Sequence, residues 1–261
     1  MMSDNKRKYT LNEQVWDTLT PELAYWLGFL YGDGNCTQEN KVRLQIQWGD
    51  REHLFAFRNF IGSENRPVKE IITDRCHNAS LEFRSWKVHN IIKKYELTKV
   101  KAQRGRLHVS LLHPNVVRDF IRGIFDADGS FYYGGTHKNY LYAEITGHMP
   151  LMLDIKNVLI EAKVLNQTKH ITRNGSIFRL RFAKESTLKL IEYLYGGNPL
   201  YRLSRKYSMV KHYLDRLNEV TTKVEATVET YHRPVETFNA GKQGEFEERQ
   251  HFIEPGCSCG K

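Results

Sequence analysis

Residues 24–34, Ala-Tyr-Trp-Leu-Gly-Phe-Leu-Tyr-Gly-Asp-Gly, return at residues 119–129 as Asp-Phe-Ile-Arg-Gly-Ile-Phe-Asp-Ala-Asp-Gly, 95 residues separating Asp33 from Asp128. Self-similarity at this interval restricts the chain to architectures in which one unit is built twice. Each copy is an apolar, helix-forming stretch closing on a small residue, an Asp and a Gly. The closing glycines, Gly34 and Gly129, suit helix C-caps with positive φ.

The residues after each copy match as well. Residues 42–48 alternate apolar and polar, as a half-buried strand does, with Arg43, Gln45 and Gln47 as the polar set. Residues 141–146 answer in the second half, with Tyr142 and Glu144 on the polar side. Amphipathic helices are expected near 50–61 and 150–162. Next comes a hairpin in which Arg173-Asn174-Gly175 separates 169–172 from 176–182, Asn-Gly being a strong turn signal. Its second strand sets Arg179 and Arg181 opposite Phe178, Leu180 and Phe182. The first half offers strands 68–73 and 80–86, including Arg84, around a loop at 74–78. Helices near 86–95 and 185–195 close the units, and 203–219 forms a last helix. The expected fold class is therefore α+β, with two αββαββα repeats. Its parts are an N-terminal extension (1–19), a first repeat (20–115), a second repeat (116–221) and a polar, flexible C-terminal tail (222–261) whose Pro234, Gly241, Gly244 and Pro255 break up regular structure.

The chain carries 39 Lys and Arg against 30 Asp and Glu, a net charge of +9. Residues 222–261 hold seven acids and five basic residues, so the excess belongs to the repeats. That excess points to a polyanionic partner, nucleic acid or an anionic membrane surface. No apolar run reaches the ~18 residues a membrane span needs, and the charged N-terminus has no apolar segment behind it, so neither membrane insertion nor a signal peptide is expected. Four cysteines, Cys36, Cys76, Cys257 and Cys259, form no disulfide or zinc framework. An intracellular, soluble protein fits these features. Cys257 and Cys259 lie near His251 in the tail and have no assigned role.

Gly28 and Gly32 lie four residues apart, as do Gly123 and Ala127. On a helix this spacing makes a smooth stripe on one face, so that two such helices can approach closely. Packed together, they bring Asp33 and Asp128 side by side at a common end. Two carboxylates so placed repel unless cations lie between them. Hard oxygen ligands without convergent Cys or His favour Mg²⁺, with Mn²⁺ as substitute, and paired ions of this kind serve phosphodiester hydrolysis. Asp126 stands where the first copy has Tyr31, and it reads as a helix-end or interface residue rather than a catalytic one.

Residues 26–34 and 121–129 resemble the two motifs of a single-chain LAGLIDADG homing endonuclease, and the resemblance extends over roughly residues 20–215. It implies pseudo-twofold symmetry with the motif helices at the interface and saddle-shaped antiparallel sheets. It further implies a monomeric, site-specific double-strand DNA endonuclease that cuts across the minor groove and leaves short 3′ overhangs. By resemblance, Asp33 and Asp128 are metal ligands assisted by the Gly32 and Ala127 carbonyls, and a lysine late in each repeat takes part in catalysis. Position maps these lysines to Lys101 and Lys206, with Lys99 and Arg205 as alternatives. The outward strand residues Arg43, Gln45, Gln47, Arg84, Tyr142, Glu144, Arg179 and Arg181 suit base edges, Arg pairing with guanine and Gln with adenine. The loop residues Lys138 and Lys169 suit phosphates. For any one strand residue, plain solvation accounts equally well for its polarity. The competing function is a non-cleaving RNA maturase or DNA-binding regulator on the same fold. An intein, which needs a splicing nucleophile at its start and a terminal Asn, is not expected.

Overall fold

The computed structural model describes residues 8–36, 40–97, 112–136 and 139–231, with side chains described as far as 223. Helix α1 (Pro21–Asp33) starts where the Thr20 hydroxyl accepts from the Leu23 amide and Pro21 occupies the first turn. Its counterpart α4 (Pro114–Asp128) starts in the same manner, with Pro114 following His113, whose Nδ1 accepts from the Asn115 amide. Proline costs nothing there because its missing N–H would have no helical partner. Residues 23–32 of α1 are all buried, on every side of the helix. A helix apolar all round belongs in an interior, and α1 lies against α4 there.

Each motif helix runs directly into an antiparallel sheet. The first contains β1 (Gly34–Cys36), β2 (Lys41–Gln47), β3 (Lys69–Thr73) and β4 (Cys76–Arg84), in the order β1-β2-β4-β3. The second contains β5 (Gly129–Gly134), β6 (Tyr140–Gly147), β7 (Thr172–Asn174) and β8 (Ile177–Phe182), in the matching order β5-β6-β8-β7. Alternation sets one face of each sheet into the core. Val42, Leu44 and Ile46 pair with Phe83, Leu81 and Ala79, while Ala143 and Ile145 pair with Phe182 and Leu180, and all of these are buried. Helices α2 (Glu52–Phe60), α3 (Trp86–Lys93), α5 (Met149–Glu161) and α6 (Glu185–Tyr195) complete the two repeats, and α7 (Ser204–Tyr231) follows. The observed architecture is the expected two-repeat α+β layout.

Four local expectations are corrected. Gly34 and Gly129 have φ of −80° and −81°, so neither is a left-handed cap. Each opens a strand, and glycine is required because a Cβ at Gly34 would strike the Leu30 carbonyl, and one at Gly129 the Phe125 carbonyl and ring. The hairpin between β7 and β8 turns at Gly175-Ser176, since Asn174 already pairs with Ile177; Gly175 has φ of +61°. The loop read at 74–78 is a two-residue turn, because Thr73 pairs with Cys76. Helix α7 continues to Tyr231, past residue 222. Near the N-terminus, the Asn12 amide donates to the Ile61 carbonyl, Lys87 pairs with Asp17 and Trp16 is buried, so residues 12–17 are packed onto the first repeat.

Candidate active site

The glycine stripes set the geometry of the helix pair. A Cβ at Gly28 would overlap the Phe120 carbonyl, and one at Gly123 would overlap the Tyr25 carbonyl and reach within 2.6 Å of the Phe29 amide nitrogen. A Cβ at Gly32 would overlap the Ala127 methyl and lie 3.3 Å from the Asp128 carboxylate carbon. Contacts thus advance together along both helices, from Tyr25 with Gly123 to Gly32 with Ala127 and Asp128. The helices run parallel and end side by side, and only glycine allows main chain to touch main chain in this way. Asp33 and Asp128 are both half-buried at this shared end.

Asp33, Asp126 and Ala127 line one cleft of about 290 Å³ together with Gln45, Gln47, Asn78 and Arg205. Two sequence-predicted base-contact residues therefore share a cavity with a predicted metal ligand. The Asp33 carboxyl and the side-chain amides of Gln45, Gln47 and Asn78 line this cleft, oxygen-bearing groups of the kind a hard divalent cation takes. Of the acids lining the cleft, Asp50 is chelated by Arg205 and Asp126 is engaged by Tyr25, Tyr195 and Leu203, and Asp33 is the third.

Lys206, in the first turn of α7, is 3% exposed. Its ammonium donates to the Phe125 carbonyl (2.7 Å) and the Asp126 carbonyl (2.6 Å), the carbonyls at the C-terminal end of α4. Burial pushes its pKa down to about 8, a shift opposed by the negative charges of Asp126, Asp33 and Asp128 and reinforced by Arg205. Lys206 thus lies within the field of both motif acids. Arg205, the alternative occupant, instead chelates Asp50 at 3.1–3.3 Å. Lys101, Lys99 and Lys138 lie outside the described residues, as do Cys257, Cys259 and His251 of the tail.

Asp126 is 1% exposed and is an interface residue, as its position suggested. It accepts from the Tyr25 hydroxyl (2.9 Å), the Tyr195 hydroxyl (2.6 Å) and the Leu203 amide (2.8 Å). Burial raises its pKa, against the pull of Lys206 and these donors. The Tyr25 oxygen also lies 2.8 Å from His53 Nε2. Sequence reading did not find Tyr25, His53, Tyr195 or Leu203, because the contacts join residues 28 to 101 positions apart.

The strand residues fall as alternation requires. Arg43, Gln45, Gln47 and Arg84 share the outer face of the first sheet, and Tyr142, Glu144, Arg179 and Arg181 share that of the second. The structure adds an ion-pair pattern to each. Glu144 is held by Arg181 at 2.7 Å and Arg179 at 3.6 Å. Glu82, absent from the sequence reading, is held by Lys41 and Arg43, each at 3.0 Å. Desolvation works against ionisation of Glu82, yet hydrogen bonds from Lys41 and Arg43 keep its pKa below the usual carboxylate range. On the second outer face, Tyr132 stacks on Tyr142 (centroids 5.6 Å apart) beside the exposed Tyr140. Lys169 lies apart from these faces, half-buried beside Lys189 and Glu185 near the start of α6.

No family model matches the sequence. Among curated proteins, the replication factor C small subunit of Methanocaldococcus jannaschii is 28% identical over 111 residues, covering 41% of this chain and 6% of that protein. The chain therefore spans only a small part of that relative's length. Among solved structures, LAGLIDADG Meganuclease I-CpaMI bound to uncleaved DNA superimposes with a TM-score of 0.52 at 14% identity, covering 82% of this chain and 96% of that one. LAGLIDADG homing endonuclease I-GzeII in complex with its DNA target gives 0.52 at 14%, covering 82% and 95%. I-SmaMI bound to cleaved DNA gives 0.51 at 13%, covering 81% and 94%. The chain has the two-repeat LAGLIDADG fold.

Proposed function

We propose that this protein is a site-specific double-strand DNA endonuclease of the homing type, acting as a pseudo-twofold monomer. The observation that carries the reading is the parallel, glycine-lined pairing of α1 and α4, whose ends carry Asp33 and Asp128, with Asp33 and Ala127 at a cleft that Gln45 and Gln47 also line. The residues present fit a divalent cation, Mg²⁺ or Mn²⁺ in its place, held by Asp33 and Asp128 with help from the Gly32 and Ala127 carbonyls. Such an ion would supply an activated water and charge stabilisation for the departing oxygen. Lys206, fixed by two carbonyls and close to both acids, offsets negative charge that builds on the phosphate. Lys101 is its proposed counterpart from the first repeat. The outer sheet faces read the major groove through Arg43, Gln45, Gln47, Arg84, Tyr142, Glu144, Arg179 and Arg181, while Lys138 and Lys169 add phosphate contacts.

The test uses a duplex selected by binding, without divalent metal, from a randomised library and cloned into a plasmid. In Mg²⁺ the full chain should linearise it. Asp33→Asn and Asp128→Asn should each lower that rate at least about 100-fold, the order of effect seen on losing one catalytic electrostatic contact, while still binding. Binding without cutting by the unaltered protein would favour a maturase or DNA-binding regulator instead.

A further inference from the structure

The two repeats differ at the heart of the helix interface. Tyr25 of α1 and Asp126 of α4 meet across it through a hydrogen bond of 2.9 Å. The repeat operation moves Tyr25 onto Phe120 and Asp126 onto Tyr31. That second pair meets as an edge-on aromatic contact, with centroids 6.2 Å apart and planes at 64°. A hydroxyl-to-carboxylate contact on one side of the pseudo-twofold is thus an aromatic contact on the other.

Asp126 also holds the start of α7. Its carboxylate accepts from the Leu203 amide, one residue before α7 begins, and the Leu203 carbonyl accepts from the Tyr207 amide, closing the first turn of that helix. Lys206 projects from this turn onto the carbonyls of Phe125 and Asp126. Tyr195, at the end of α6, holds the other carboxylate oxygen. The start of α7, and with it the Lys206 ammonium, is therefore registered on α4 by one buried carboxylate whose hydrogen-bond partners come from both repeats.

We propose that Asp126, with Tyr25 and Tyr195, positions Lys206 for cleavage of one DNA strand only, so that the two strand cuts depend on different supports. This rests on the nuclease reading above. The two strands of a duplex are related by a twofold axis, so a pseudo-twofold protein presents its second-repeat lysine to one scissile phosphate and its first-repeat lysine to the other. Loosening the Asp126 support slows the first cut and leaves the second. Asp126, Tyr25 and Tyr195 are positioning residues, acting through Lys206.

The experiment follows each strand separately on the selected duplex, end-labelled on one strand at a time, in Mg²⁺ with the full chain. Tyr25→Phe, which reproduces the ring found at Phe120, and Tyr195→Phe should each slow one strand, the same one, about 3- to 10-fold, as loss of a buried hydrogen bond implies. Asp126→Asn should slow it further, and nicked plasmid should accumulate. General loosening of the fold would lower both rates together, so the ratio of strand rates reads positioning separately from stability. Equal slowing of both strands, or no change in the ratio with either tyrosine variant, would overturn the proposal. If the unaltered protein binds and cuts neither strand, the nuclease reading itself fails and this inference goes with it.

Discussion

At the position two residues before the terminal acid of each motif, the first repeat has Tyr31 and the second Asp126, and their surroundings show why a repeated sequence need not give equivalent side chains. Asp126 was legible as an interface residue because the resemblance puts the metal-ligand position two residues on, at Asp128. Its partners were not legible, since Tyr25, Tyr195 and Leu203 come together only once both repeats are folded. His53 belongs to the same layer. Its ring packs 4.7 Å from both Trp26 and Phe29, and burial, aided by Lys206, drives its pKa down to about 3 from 6.5. The folded protein therefore keeps His53 neutral where the unfolded chain takes up a proton. Stability is unaffected by this group above pH 6.5 and is lost as pH falls from 6.5 towards 3, at up to about 1.4 kcal/mol per pH unit. His53→Gln, which keeps a polar partner for Tyr25, is expected to flatten that loss. Urea denaturation of both proteins at pH 7 and pH 4.5 checks it, and an unchanged pH dependence would mean that His53 is not held neutral.

The helix pair is the element that sequence described best, because its signal is local: a small residue every fourth position and an acid at the end. Backbone-to-backbone closeness follows at Gly28 and Gly123, and side-chain contact with the Ala127 methyl and the Asp128 carboxylate at Gly32. Gly28→Ala or Gly123→Ala pushes a methyl into the opposite main chain, which cannot yield as a flexible side chain would. Each should cost about 3 kcal/mol or more, seen as a lowered urea midpoint, with cleavage falling as the acids separate. Retention of full stability and activity would contradict the close packing. Strands were legible from alternation, yet the loop expected at 74–78 was three residues too long, and the turn expected at 173–175 lies at 175–176. Cross-strand pairing, not turn composition, set where Thr73 meets Cys76 and Asn174 meets Ile177. The ion pairs on the outer faces were invisible for the same reason: Glu82 meets Arg43 from 39 positions away, and Glu144 meets Arg181 from 37.

At the scale of the whole molecule, the excess positive charge lies within the repeats, and the sheets carry Arg43, Arg84, Arg179 and Arg181 on their outer faces. If these surfaces bind duplex DNA, counterion release governs the affinity. The logarithm of the binding constant should fall against the logarithm of salt concentration with a slope of about −0.9 for each phosphate neutralised. Lys169→Gln should flatten that slope by about one unit in a fluorescence-anisotropy titration; an unchanged slope would remove Lys169 from the phosphate contacts. The central claim, that one acid from each repeat grips the same divalent centre, is tested most directly by anomalous scattering. Crystals of the full chain with its selected duplex and Mn²⁺ should show manganese within coordinating distance of both Asp33 and Asp128, beside the scissile phosphates. Manganese bound elsewhere, or a duplex seated away from those two carboxylates, would contradict the account.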